Sequence, residues 1–181
     1  MLVFILQTLD LTSDDVKTKR KSKFEKKLLV WVAFSEKGLS RHYVVPSGQA
    51  IDADVYVQKC LPRLVSFIKE HHEKDQVVFW PDLASSHYSN KALEYLSDQK
   101  IDVVPKNSNP ANCPELRPIE DFWSELKRLV YDKCWVADNL EQLRNRIEYA
   151  FNKVTLERVQ NLARSTFRRI DATRRGNGLE G

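Results

Sequence analysis

Glycine is scarce, five in 181 residues, and proline is limited to seven. Collagen-like and linker-dominated architectures are excluded by that alone. Cysteine occurs three times, as Cys60, Cys113 and Cys134, an odd number with no Cys-x-x-Cys pair. Neither a disulfide framework nor a zinc ribbon is expected, and the count fits a reducing compartment. The three thiols are expected as small buried hydrophobes. No apolar run approaches the roughly 18 residues of a membrane span, so no membrane partner is expected. Met1–Leu9 is apolar but short, with no basic flank and no small-residue cleavage site, and does not read as a signal peptide. Internal repeats are absent.

What is present is a globular composition, 42% hydrophobic and 30% charged. A chain of this length buries roughly 70% of its unfolded surface and needs no staple to fold. The net charge is +4, but its distribution says more. Residues 17–27 carry seven basic side chains and one acidic, a net +6. Residues 160–181 carry five arginines against two acids, a net +3, which leaves the body at −5. Two basic segments flanking an acidic body suit a polyanionic partner; they also suit two solvated ends.

Leu28–Ser35 is rich in Val, Trp and Phe and reads as a buried strand; Leu39–Val45 reads as its hairpin partner across Glu36-Lys37-Gly38. Residues 52–72 place Val57, Leu61, Leu64, Val65 and Ile68 on one helical face, with Pro62 as a kink or a helix start. A strand at 76–80, a helix at 91–99 and a strand at 101–105 follow, then a polar, proline-containing loop at 106–116. Three helical patterns close the chain, built on Ile119 to Val130, Leu140 to Phe151 and Leu156 to Ile170, with a disordered tail expected over 171–181. This order is that of a mixed α/β domain, helices on a central sheet, over residues 28–170, with 1–27 as an N-terminal remnant and basic linker.

Two acids stand out by position. Asp82 directly follows the strand QVVFW, at the end where open α/β sheets place their ligands. Glu120 lies in the first turn of an amphipathic helix. At ~4 Å two carboxylates repel by roughly 1–4 kcal/mol, so a converging pair shares a proton or holds a cation. All-oxygen ligands favour Mg²⁺ or Mn²⁺, the ions of phosphodiester chemistry. The plainer alternative is an acid in a strand-ending turn and another favoured by a helix dipole.

Residues 80–88 (WPDLASSHY) and 114–128 (PELRPIEDFWSELKR) together resemble the catalytic domain of mariner/Tc-type transposases. That resemblance implies a ribonuclease H-like fold, a mixed sheet flanked by helices. It implies that Asp82 and Glu120 take the places of the second and third catalytic acids, separated by 37 residues, and that His87 takes the place of an auxiliary histidine. It further implies metal-dependent DNA cleavage and strand transfer with Mg²⁺ or Mn²⁺, DNA as partner, a homodimer and a nuclear location.

The chain departs from the family pattern at its start. Only 27 residues precede Leu28, and Asp10, ending MLVFILQTLD, is the stand-in for the first acid. Leu83 stands where the family has Asn. The expectation is an N-terminally truncated catalytic domain, missing its first strand or strands, with impaired cleavage. A non-catalytic nucleic-acid-binding remnant and a purely structural or protein-binding domain are the competing readings. Lys17, Lys19, Arg20, Lys21, Lys23, Lys26 and Lys27 are the candidate phosphate contacts, with Arg164, Arg168, Arg169, Arg174 and Arg175 as a second group. His71 and His72 are expected to complement a helix dipole, His42 to be structural, and Trp31 and Trp80 to be core aromatics.

Overall fold

Two short sheets share one long central ribbon. In the computed structural model, which describes residues 2–5, 9–10, 28–110 and 117–176, this ribbon is β3 (Leu29–Trp31) continued by β4 (Ala33–Ser35). β1 (Leu2–Ile5) pairs antiparallel with β4, Phe4 opposite Phe34. β2 (Leu9–Asp10) pairs with β3, Asp10 opposite Leu29. On the far side, β5 (Gly38–Leu39) pairs with β4 and β6 (Tyr43–Val44) with β3. The pairs of β4 and those of β3 fall in two different sheets. The expected turn is a tight one, and Gly38 at φ 133° supplies a backbone angle other residues resist.

β1 also pairs in parallel with β7 (Val78–Trp80), Phe4 opposite Trp80, and β7 pairs in parallel with β8 (Asp102–Val103). The sheet order is β5-β4-β1-β7-β8. The expected gap at the first strand is therefore filled: Leu2–Ile5 lie in the middle of the sheet, and β4 and β7 each gain a partner. The physical reason is the apolar run LVFI, which suits a strand covered on both faces.

The crossover to β7 is helical. α1 (Ala53–Val55) begins at Asp52, whose carboxylate accepts from Val55 N–H at 2.8 Å. A π-turn (Tyr56–Cys60) leads into α2 (Leu61–His71). Pro62 stands in the first turn of α2, a helix start as expected. It lacks the N–H that would bond the carbonyl of Gln58, and the Leu61 N–H instead reaches back five residues to Tyr56 O. The widened turn buries Tyr56 and Cys60 together, and burial pushes the Cys60 thiol up to about 12, against the lowering pull of Arg63. α3 (Asn90–Asp98) is capped by Ser89.

α4 (Pro118–Val130) opens on Pro118, whose missing N–H is no loss in a first turn, and carries acids at its start and bases at its end. Its apolar face buries Ile119, Phe122, Trp123, Leu126 and Val130. α5 (Leu140–Lys153) packs Leu143, Ile147, Ala150 and Phe151 against it, and α6 (Leu156–Gly176) follows. Arg158 to Glu125 and Arg169 to Asp121 tie α6 to α4, at 2.9 and 2.6 Å. The helix continues past the boundary expected at 170, where Arg175 pairs with Asp171 one turn back at 2.7 Å. Positions 177–181 of the expected tail, Cys113, and the basic stretch 17–27 lie outside the described residues.

Two small readings change. Cys134 is exposed, in a turn whose Lys133 and Cys134 both have φ near 55°. His72 is the C-cap residue of α2, but its side chain turns inward and is 1% exposed. Its Nε2 lies 2.9 Å from Ser35 Oγ and its Nδ1 2.8 Å from Asp75, which also accepts from Lys37 Nζ at 2.6 Å. Ser35 Oγ accepts from the Lys37 N–H, so this relay locks the hairpin turn onto the end of α2. Ser35 and His72 are sealed from solvent, which suits a lock and not a nucleophile. His42 is structural as expected, stacking on Phe151 at 4.0 Å.

Burial holds the His72 imidazole below its ordinary 6.5, with the Asp75 bond opposing. The folded chain therefore resists a proton that the unfolded chain accepts, and stability present above pH 6.5 falls as the pH drops below it. The Lys37 bond holds Asp75 below its ordinary 3.8, so its own contribution is lost only at lower pH. Melting temperatures between pH 7.5 and 5 should fall in the native chain and fall less in His72→Phe, which has nothing to titrate. Parallel curves for the two proteins would refute this.

Candidate functional site

β7 ends at Trp80, and Pro81, with no N–H to donate, stops the ladder. Asp82 then turns back on the chain: its Oδ1 accepts from Ala84 N–H at 2.6 Å, an Asx turn. His87, near the end of the same turn, places Nδ1 2.7 Å from that oxygen. The distance suits an ion pair, while the imidazole is off the line that an N–H···O bond requires. Both groups are buried, Asp82 2% and His87 4% exposed. Asp82 Oδ2 is buried without a hydrogen-bond partner among the described residues.

The π-turn contributes the next layer. The Tyr56 ring lies 4.4 Å from the His87 ring and edge-on to Trp31. Burial pushes the Tyr56 phenol well above its ordinary value, and the nearby Cys60 and Asp82 push in the same direction. Its hydroxyl, like Asp82 Oδ2, has no partner among the described residues.

Glu120 enters from α4. It is half-buried, its N–H bonded to Arg117 O at 3.1 Å. The path from Glu120 to the Asp82 strand runs through Asn109, 5% exposed. Asn109 Oδ1 accepts from Trp80 Nε1 at 2.8 Å and from Arg117 at 2.9 Å. Its Nδ2 donates to Pro81 O at 2.7 Å and to the Tyr88 hydroxyl at 2.8 Å. Tyr88 in turn donates to Val104 O, at 3.0 Å, the residue after β8.

Of the residues singled out by sequence, Asp82 and His87 are in contact, and Glu120 starts three residues beyond Arg117 in this network. For Asp10 the backbone alone is described; it pairs with Leu29, in the sheet that lacks β7. β1, the strand beside β7, reads Leu-Val-Phe-Ile and holds no acid. Among the described residues no group of three or more His, Cys, Asp or Glu is placed to hold a metal. Arg164 and Arg168 are exposed, while Arg169 and Arg175 are in ion pairs. Sequence reasoning passed over Asn109, Arg117, Tyr56 and Tyr88. For Asn109 a signal existed: Pro110 follows it and restricts it to extended backbone, φ −89° and ψ 110°, a fixed stance for a side chain.

The donor chemistry fits a divalent cation in part. A buried carboxylate oxygen with no donor is costly unless water or a cation meets it, and oxygen ligands suit Mg²⁺ or Mn²⁺. The two acids are of the right type, and a third is not among those the described sheet brings beside β7.

No family model matches the chain. It is 29% identical over 139 residues to the Transposable element Tc3 transposase of Caenorhabditis elegans, covering 76% of this chain and 40% of that protein. The chain thus spans less than half the length of the curated relative it matches. Its fold is that of the catalytic domain of Mos1 mariner transposase, with a TM-score of 0.70 at 16% identity over 91% of this chain and 76% of that one. The Mos1 paired-end complex with Mn gives 0.73 at 18% identity, over 91% of this chain and 52% of that one. The ribonuclease H-like fold expected from sequence is the fold observed.

Proposed function

We propose that this transposase-derived domain of the mariner/Tc type binds DNA and retains two acids of a divalent-cation site, Asp82 and Glu120, with strand cleavage impaired. The observation that carries the reading is Asp82: a carboxylate at the C-terminal end of a central strand with one oxygen fixed and the other unsatisfied. Ala84 N–H and His87 hold Oδ1, which leaves Oδ2 as the oxygen for a cation. A bound Mg²⁺ or Mn²⁺ would polarise a phosphodiester and lower the pKa of attacking water. Asp82 and Glu120 would hold it, and His87 would keep Asp82 oriented. The absence of an acid on β1 supports the impairment. Mos1 in its paired-end complex is a DNA-bound relative, which supports DNA as partner; a homodimer and a nuclear location are part of the same proposal.

Calorimetric titration with Mn²⁺ tests it. The native chain should show saturable binding, Asp82→Ala none, and Glu120→Ala at least tenfold weaker binding, about 1.4 kcal/mol. Any Mn²⁺-dependent nicking should vanish with Asp82→Ala. A folded native chain that binds no Mn²⁺ would sink the cation site. The lack of an acid on β1 favours one second reading in that case: DNA binding without chemistry, with affinity that falls steeply with salt and ignores metal.

A further inference from the structure

Asn109 bonds the residues that lead into both acids, Trp80 and Pro81 ahead of Asp82 and Arg117 ahead of α4. Its amide uses its full capacity, two acceptor and two donor positions, within 2.7–2.8 Å for three partners and 2.9 Å for the fourth. The partners also fix its orientation. Indole and guanidinium nitrogens only donate and a carbonyl only accepts, so exchanging the amide O and N would break three of the four bonds. Two of the partners, Trp80 and Pro81, are the residues just before Asp82. A third, Arg117, is the residue before α4, three short of Glu120. The fourth, Tyr88, follows His87 and is itself anchored on Val104. A buried polar side chain in this position is expensive unless fully bonded, and fully bonded it specifies one geometry.

We propose that Asn109 is a positioning residue that fixes the separation between Asp82 and Glu120. This rests on the reading of those two acids as the cation-holding pair. Asn109 touches neither carboxylate; it acts through Pro81 on one side and Arg117 on the other. Asn109 thereby becomes the clasp between strand β7 and the start of helix α4, and the proposal ties Arg117 to the same task.

The test uses two readouts on the full chain. Spin labels at S85C and S124C, both exposed positions, report the distance between the Asp82 turn and α4. Cys113 and Cys134 are replaced by Ser, and Cys60 is buried and stays unlabelled. The parent should give one narrow distance distribution. Asn109→Leu, close in volume and unable to hydrogen-bond, should broaden it, as should Arg117→Met, which cuts only the helix side. The double variant should be no broader than Asn109→Leu, because one path is being cut twice. Mn²⁺ affinity should fall about 10–100-fold in Asn109→Leu, the range for residues that orient metal ligands. An unchanged distribution, additive broadening, or Mn²⁺ affinity equal to the parent's would each overturn the proposal. Where Asn109→Leu does not fold, Arg117→Met carries both measurements. A parent that binds no Mn²⁺ refutes the cation site, and the distance distributions then decide the clasp by themselves.

Discussion

Phe122→Ala should lower the unfolding free energy by about 3–5 kcal/mol, the range for truncating a sealed aromatic. Phe122 is fully buried and lies between three other rings: Phe34 of the sheet at 6.1 Å, Phe151 of α5 at 6.0 Å and its neighbour Trp123 at 5.6 Å. Removing it opens a cavity where sheet, α4 and α5 meet, and rigid elements on all sides hinder collapse. For a chain of this size each kcal/mol moves the melting temperature by about 2–4 °C, so a drop of about 6–20 °C is expected. Against a total stability of about 5–15 kcal/mol, the variant lies near the edge of folding. Phe122→Leu should recover more than half of the loss. Thermal unfolding of the three proteins decides it; a shift under 3 °C for the alanine variant would mean the cavity closes.

The second large effect concerns Asp82 and His87. Taking away one member of a buried polar pair leaves the carboxylate with less compensation, at about 1–3 kcal/mol. His87→Ala should show that loss in urea unfolding, even though the Ala84 N–H still meets Asp82 Oδ1. Adding Asp82→Asn to His87→Ala should restore most of it, because the stranded charge is gone. The two substitutions would then be strongly non-additive, with a coupling of about 1–3 kcal/mol. Additive losses would show that the carboxylate does not depend on the imidazole.

Sequence reasoning located the elements that have a strong period. The hairpin from Leu28, the amphipathic face of Phe122, Trp123 and Leu126, and the strand ending at Trp80 were all visible as patterns. Boundaries slipped where tertiary contact overrides local preference. Pro62 reads as a kink or a helix start and stands in the first turn of α2, but the π-turn ahead of it, which buries Tyr56 and Cys60, leaves no local pattern. β1 was discounted because a strand between β4 and β7 is recognisable only once its partners, 30 and 76 residues away, are known. In the site, the two acids were legible because each follows a recognisable motif. Asn109 was not, since its importance lies in four partners that come from three separate stretches of sequence. His72 ends a helix as expected, but its buried contact was hidden for the same reason: its partner Ser35 is 37 residues away.

The placement of β1 has a consequence for how the chain acquires its shape. Leu2 pairs with Val78, so the middle strand of the sheet is synthesised 76 residues before its parallel neighbour. At about 5–20 residues per second that interval is roughly 4–15 s, during which an apolar segment has only the antiparallel ribbon to rest on. The C-terminal helices close largely through contacts with one another and can form quickly once made. Assembly is thus paced by the return of β7 to β1, a parallel, non-local pairing of the slow kind. Folding during synthesis would wait on the same strand that later holds Asp82 in place.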